Sequence, residues 1–117
     1  MKNILSALLF VSFISCKGQD CSKMPTSFIS YQQAIKLVKS STFRISESAN
    51  TSNSSWITSA RYYSCDRETG YFIYTTNRGY EYIHAGVPID IWKGFKAASS
   101  KGSYYDRNIK GRYELSN

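Results

Sequence analysis

The one histidine of the chain, His84, is the first candidate for catalysis. In a loop leaving a tyrosine-rich strand, its imidazole could act as a general base if Asp90 or Tyr82 oriented it. The sequence shows no catalytic motif that would support this role, because it has no serine–histidine–aspartate order, paired-carboxylate motif or phosphate-binding loop. A lone loop histidine is more often a polar surface residue. We therefore expect no catalytic residue and no enzyme, with His84 as the alternative.

Cys16 suggests covalent lipid chemistry. It follows an apolar run, Ile4 to Ile14, and the small residue Ser15, and a polar segment begins directly after it. The run is too short to span a bilayer as a stable helix but suits a secretory signal peptide. This arrangement resembles the lipobox of bacterial lipoproteins, in which the cysteine is alkylated with diacylglycerol and the chain is cut just before it. An ordinary signal peptide with a coincidental cysteine is the alternative. The prediction is a signal peptide over residues 1–15 and lipid at Cys16.

That prediction places the protein in the bacterial cell envelope, held to a membrane, most simply the outer membrane, by its lipid anchor. An exported protein meets conditions that permit disulfides. Cys21 and Cys65 could pair, and closing that long loop would stabilise the fold by roughly 4 kcal/mol. The alternative is a buried free Cys65 and a Cys21 lying in a tether, and the sequence leaves the two open. Two cysteines and one histidine show no metal-ligand spacing, so no metal or cofactor is expected.

Tyr80 and Tyr82 are the candidate binding residues, because alternate residues of a strand share one face. The alternative is that both rings belong to the core, with their hydroxyls at its rim. The net charge of +7 indicates either an ordinary solvated surface or an anionic partner, such as nucleic acid or lipid headgroups. The side chains that would surround the two tyrosines are Arg78, His84, Lys101, Arg107, Lys110 and Arg112.

A chain of 117 residues makes one domain at most beside its targeting segment, and 15% aromatic residues favour β structure. Residues 16–27 read as a tether. Ser30 and Gln33 form a capping box at the start of an amphipathic helix over residues 31–39. A short strand around Phe43 and Ile45 and a flexible joint over residues 46–55 complete the segment 28–53.

Residues 56–64, 71–76 and 80–83 read as three antiparallel strands joined by short turns. Gly86 to Pro88 should end the sheet, and a helix with an apolar stripe through Trp92 should begin there and lie across the strands. Gly102 should stop that helix, and a short helical turn should restart near Ser103. Tyr113 and Leu115 suggest an edge strand. The predicted fold is α+β: a three-stranded antiparallel meander packed against a C-terminal helix, with an N-terminal amphipathic helix.

Residues from Ser55 to Tyr113 form one pattern by their order and spacing: Ser55, Ile57, Asp66 to Gly70, Tyr80, Tyr82, Val87, Pro88, Ala98, Ser100, Gly102, Tyr104, Ile109, Gly111 and Tyr113. In this pattern the chain, from about residue 54 onward, resembles the KTSC domain, a family named for its occurrence at the C-terminus of some lysyl-tRNA synthetases and also found as stand-alone bacterial proteins. The approach to the first turn, Tyr62 to Asp66, is longer than is usual in that family. The family has no established activity, although RNA binding has been suggested for it.

Together these features predict a cell-envelope lipoprotein with a KTSC-like domain over residues 54–117, serving as a non-catalytic binding module for an unknown protein or polyanion. Nucleic-acid binding is the alternative function, since aromatic rings on a sheet stack bases and a basic rim holds phosphates. Export weakens that alternative, because it removes the protein from cellular RNA.

Overall fold

The computed structural model describes residues 18–115, which form one four-stranded antiparallel sheet with helices on both of its faces. The strands lie in sequence order: β1 Ile45–Ser48, β2 Ile57–Ser64, β3 Thr69–Thr76 and β4 Glu81–Pro88. The helices are α1 Tyr31–Ser40, α2 Ile89–Ala97 and α3 Lys101–Asn108, and a 3-10 helix spans Cys21–Lys23. The predicted α+β class is confirmed. In the described part of the chain, none of these helices has the length and apolar character needed to cross a bilayer.

The predicted number of strands is wrong. Ile45–Ser48 pairs antiparallel with β2, Ile45 opposite Ser64 and Ser48 opposite Arg61, and so adds a fourth strand to the meander. The segment predicted as a flexible joint therefore begins inside a strand. Backbone pairing explains the difference: Ser46, Glu47 and Ser48 have exposed side chains and no apolar signal, but their backbone groups complete the edge of the sheet.

The first core lies on the sheet face that α2 and α3 cover. Trp92 is buried there, with its indole stacked on the ring of Tyr62 at 5.2 Å between centroids. Its Nε1–H donates to Oε1 of Glu47 on β1 at 2.8 Å, so the helix predicted to lie across the meander does so. The buried residues of this core are Ile57, Ala60, Tyr62, Phe72, Tyr74, Val87, Trp92, Phe95, Tyr105 and Ile109.

The second core lies on the opposite face, under α1. This helix begins as predicted, because Oγ of Ser30 accepts a hydrogen bond from the backbone N–H of Gln33 at 3.1 Å. Its apolar face then packs against the middle of the sheet. The buried residues of this core are Phe28, Ala34, Ile35, Val38, Tyr63, Ile73, Ile83 and Leu115.

Strand β4 extends farther than predicted because of a bulge at Gly86. Phe72 is opposite His84 and Gly70 is opposite Val87, so β4 has one more residue than β3 in this interval. Gly86 adopts a φ of 68°, a left-handed conformation that glycine takes without strain. The strand therefore continues to Pro88, which caps α2, and His84 lies within the sheet.

The prediction that Gly102 stops a helix is wrong, because Gly102 lies within α3. Helix α2 has already ended at Ala97, and Ser100 caps α3 by accepting from the N–H of Ser103 at 3.4 Å. A Cβ at position 102 would collide with the indole of Trp56, so close packing explains this glycine. Tyr113 is not in a strand either; its carbonyl oxygen accepts from the N–H of Ala85 at 3.1 Å.

The disulfide Cys21–Cys65 resolves the open choice between paired and free cysteines. It fixes the 3-10 helix to the end of β2, inside the segment predicted as a tether. Backbone bonds reinforce this attachment: the N–H of Cys21 donates to the carbonyl of Thr42, and the N–H of Thr42 donates to that of Gln19, both at 2.9 Å. The predicted signal peptide and Cys16 lie outside the described residues.

Candidate functional site

Within residues 18–115, four large apolar side chains are exposed, and they belong to the start of β4, the start of α1 and the segment just before α1. Ile29 is 87% exposed, Tyr80 59%, Tyr82 40% and Tyr31 38%. We call these four residues the aromatic edge. Tyr80 and Tyr82 line one cavity, Tyr31 and Tyr82 line another, and Ile29 lies two residues before Tyr31. The prediction that Tyr80 and Tyr82 lie outside the core therefore fits their exposure better than its alternative.

The larger of these cavities, which we call the edge groove, is an open cleft of about 810 Å³ between α1 and the β3–β4 hairpin. Gln32, Lys36 and Lys39 follow one another at helical spacing and form its α1 wall. Nζ of Lys39 lies 2.7 Å from Oε2 of Glu81, so an ion pair joins the two walls. The residues lining the groove are Gln32, Ile35, Lys36, Lys39, Ser40, Gly79, Tyr80, Glu81 and Tyr82.

The smaller cavity, which we call the histidine pocket, is about 240 Å³ and lies on the other side of Tyr82. The ring of Tyr82 stacks on that of Tyr74 at 5.3 Å and so separates the pocket from the edge groove. Lys110 and Glu114 supply charge of both signs to this pocket. Its lining consists of Tyr31, Tyr74, Tyr82, Ile83, His84, Tyr105, Lys110, Gly111 and Glu114.

His84 is buried, at 6% exposure. The prediction that it lies in a loop is wrong, because it belongs to strand β4. Its Nδ1 is 3.2 Å from the carbonyl oxygen of Tyr113, and its Nε2 is 2.9 Å from the hydroxyl of Tyr105. Burial lowers the pKa of His84, while the Tyr113 carbonyl and the charge of Glu114 oppose that shift. The ring is therefore neutral at neutral pH, and both of its nitrogens are engaged within the protein.

Two tyrosines continue this hydrogen-bonded chain into the first core. The hydroxyl of Tyr74 donates to that of Tyr105 at 2.9 Å. Burial raises the pKa of both hydroxyls, so both stay protonated at neutral pH. Such a chain fixes the floor of the histidine pocket.

The predicted cations do not all gather around Tyr80 and Tyr82. Arg78 precedes Gly79 in the hairpin beside the edge groove, and Lys110 lines the histidine pocket. Nζ of Lys101 instead bonds the carbonyls of Lys96 and Ala98 at the end of α2, at 3.1 and 2.8 Å. These bonds give Lys101 a role in ending α2.

The last two predicted cations lie near the end of α3. Nη2 of Arg112 donates to the carbonyl of Arg107 at 3.0 Å, and neither side chain lines the edge groove or the histidine pocket. The cations that line the edge groove are instead Lys36 and Lys39. The sequence marks both lysines as the polar face of a helix but does not reveal that this face lies beside β4.

The strongest candidate set of metal ligands in residues 18–115 is Asp20, Cys21 and Cys65, whose ligand atoms lie within 4.8 Å of one another. Both sulfurs are in the disulfide, so neither is a thiolate. Nη1 of Arg44 lies 3.1 Å from Oδ1 of Asp20 and 3.3 Å from Sγ of Cys21. A guanidinium at this point disfavours a second cation.

Comparison with known families gives a match over half of the chain. A family model described as KTSC domain matches residues 53–113. The matched part contains β2 to β4, α2 and α3, and therefore Tyr80, Tyr82 and His84, whereas α1 and β1 precede it. Neither a curated protein nor a solved structure matches the chain.

Proposed function

The chain belongs to the KTSC domain family, as its resemblance suggested, and we propose that it is a bacterial cell-envelope lipoprotein, from the residues around Cys16, whose domain is a non-catalytic binding module. In this proposal, lipid on Cys16 holds the protein to a membrane. The domain binds its partner through the aromatic edge and the edge groove.

The exposure of Tyr31, Tyr80 and Tyr82, which line two cavities that share Tyr82, is the observation that carries the proposal. Isolated exposed apolar residues are ordinary, but a contiguous group with polar surroundings is typical of an interaction site. Tyrosine suits such a site, because its ring contributes apolar contact and its hydroxyl a hydrogen bond. The adjoining edge groove adds a concave surface with two lysines.

The bonding of His84 supports a role without catalysis. A general base needs a free nitrogen within hydrogen-bond reach of its substrate. Nδ1 faces the Tyr113 carbonyl and Nε2 faces the Tyr105 hydroxyl, so a substrate would have to displace one of them. Neither of the two predicted orienting groups, Asp90 and Tyr82, is among these partners, and Asp90 lies in α2.

Binding of a polyanion, including nucleic acid, is the second candidate function. The exposed rings of Tyr80 and Tyr82 favour it, because they line the edge groove together with Lys36 and every base or sugar has a face that can stack on a ring. This candidate predicts retention that weakens steeply as salt rises.

A paired affinity experiment tests the proposal. The bait is the chain from residue 16 onward carrying Cys16→Ser, presented to the envelope extract of its own organism. We expect a partner that the Tyr80→Ser/Tyr82→Ser bait fails to retain and that a Lys93→Gln/Arg107→Gln bait retains. Equal capture by all three baits would contradict the proposed site.

Treatment of the extract with nuclease separates the two candidate functions. Loss of the captured material after that treatment would favour the polyanion. Retention after nuclease, followed by loss after protease, would favour a protein partner over nucleic acid or another polyanion.

A further inference from the structure

We propose that the aromatic edge docks on the membrane itself, with Tyr80, Tyr82 and Ile29 in the interfacial layer and nearby cations on anionic phospholipid headgroups. This inference rests on the proposed function, since it names the partner of the same surface in a protein anchored through Cys16. It is also distinct from the anchor, because the docking surface belongs to the folded domain.

The composition of the surface is the first argument. Tyrosine is enriched where membranes meet water, because its ring is apolar and its hydroxyl is polar. Ile29 is the most exposed of the four residues, and its side chain would leave water on docking. An interfacial surface needs only shallow apolar insertion, which these side chains can supply.

The charges around the surface are the second argument. Lys36 lines the edge groove, Arg78 is next to it and Lys110 lines the histidine pocket. Among residues 18–115, neither Lys36 nor Arg78 has an acidic partner within salt-bridge distance. Unpaired cations beside exposed rings match an anionic headgroup layer, where each basic residue adds roughly 1 kcal/mol of binding.

The path of the chain is the third argument. The carbonyl of Gln19 is bonded to the N–H of Thr42, two residues beyond Ser40, which lines the edge groove. Cys16 lies three residues before Gln19, and three extended residues reach about 11 Å at most. The lipid would therefore enter the membrane close to the groove, so this side of the domain is the one that faces the bilayer.

Vesicle sedimentation tests the inference without the anchor. The chain from residue 16 onward with Cys16→Ser contains the whole described fold, since both cores and the disulfide lie within residues 21–115. It is mixed with vesicles of phosphatidylcholine, or of phosphatidylcholine with phosphatidylglycerol. We expect binding to the anionic vesicles only, and weaker binding as salt rises.

Two pairs of substitutions of equal charge locate the contact. Lys36→Gln/Arg78→Gln removes two charges at the surface and should weaken binding about tenfold or more. Lys93→Gln/Arg107→Gln removes the same charge from α2 and α3, at side chains that line neither the edge groove nor the histidine pocket, and should change it by less than about threefold. Thermal melts of each variant confirm that the fold is kept.

Substitution of the rings provides an independent test, in which Tyr80→Ser/Tyr82→Ser should also weaken binding. Equal losses from both charge pairs, or no vesicle binding by the parent chain, would overturn the inference. So would a dimer in analytical ultracentrifugation that Tyr80→Ser/Tyr82→Ser dissociates, because the surface would then bind a second copy. A failure of vesicle binding would not contradict lipid attachment at Cys16 or partner capture, because phase partitioning and the affinity experiment test those separately.

Discussion

The hydroxyl of Tyr105 donates a hydrogen bond to Nε2 of His84 across 2.9 Å. Its direction follows from the other side of the ring, where Nδ1 lies 3.2 Å from the Tyr113 carbonyl oxygen. A carbonyl oxygen only accepts, so the proton is on Nδ1 and Nε2 must accept. The buried chain from Tyr74 through Tyr105 to His84 thus has a single direction, and the neutral imidazole is the form that it stabilises.

Folding stability should therefore decrease as the pH falls below about 6.5, the ordinary pKa of histidine. Burial lowers the pKa of His84 in the folded state, so the unfolded chain binds the proton more readily. The stabilisation is fully present above the unfolded pKa and is lost as the pH falls toward the folded one. Urea unfolding at a series of pH values measures this, and a His84→Gln variant should lose the dependence within that interval. Stability that increases on acidification through the interval would contradict the prediction.

Trp92→Ala should lower the free energy of unfolding by about 3–5 kcal/mol, because it opens a large cavity beneath α2. The indole is buried against Tyr62 and Phe95. Trp92→Phe is the matched control: it keeps an aromatic ring, loses the bond to Glu47 and should cost less. Chemical denaturation of the three proteins gives the comparison, and an unchanged melting temperature for Trp92→Ala would show that the stack contributes nothing.

Removing the disulfide with Cys21→Ser/Cys65→Ser should cost roughly 4 kcal/mol on the chain-entropy estimate. The crosslink closes a loop that contains α1, β1 and β2. Wild-type protein unfolded with a reductant should match the double variant unfolded without one. If the two differ, the serine substitutions have effects beyond the loss of the bond.

Cys16→Ala should abolish lipid attachment and leave an uncleaved or misrouted precursor. Detergent phase partitioning of expressed protein detects this, with the wild type in the detergent phase. A Cys21→Ser variant serves as the control, since it should still partition with detergent. Wild-type protein found wholly in the aqueous phase would refute the lipoprotein proposal.

Lys110→Gln/Arg112→Gln should change the free energy of unfolding by less than about 1 kcal/mol. Both side chains are on the surface, and the bond of Arg112 to the Arg107 carbonyl is exposed. Equilibrium unfolding measures the change. A loss larger than this would mean that the turn after α3 depends on that bond.

Local sequence signals predicted the elements better than their boundaries. The capping residue Ser30 located α1, and the aromatic strands located β2 and β3, because these signals act within a few residues. Strand β1 is held in the sheet by its backbone pairing with β2. Its polar side chains carry no pattern from which a fourth strand could be predicted. Gly86 suggested the end of a strand, but a glycine bulge lets the strand continue.

In the candidate site, too, local patterns were predictable from the sequence and tertiary contacts were not. Alternation indicated that Tyr80 and Tyr82 share one surface, and both are exposed. The sequence predicts an accessible His84 because it indicates that the strand ends before this residue. The contribution of Lys36 to the edge groove could not be read from the sequence, since it depends on where α1 lies against β4.

The crosslink between Cys21 and Cys65 also determines how the domain responds to force. In the proposed lipoprotein, tension between lipid on Cys16 and a partner held by β4 would load both the backbone bonds that join Gln19 and Cys21 to Thr42 and the sulfur–sulfur bond to the end of β2. Residues 22–64 form a closed loop beside this covalent path. Once the hydrogen bonds to Thr42 break, the covalent path would carry the tension past α1 and β1, and the α1 wall of the edge groove would keep its shape while the anchor is pulled.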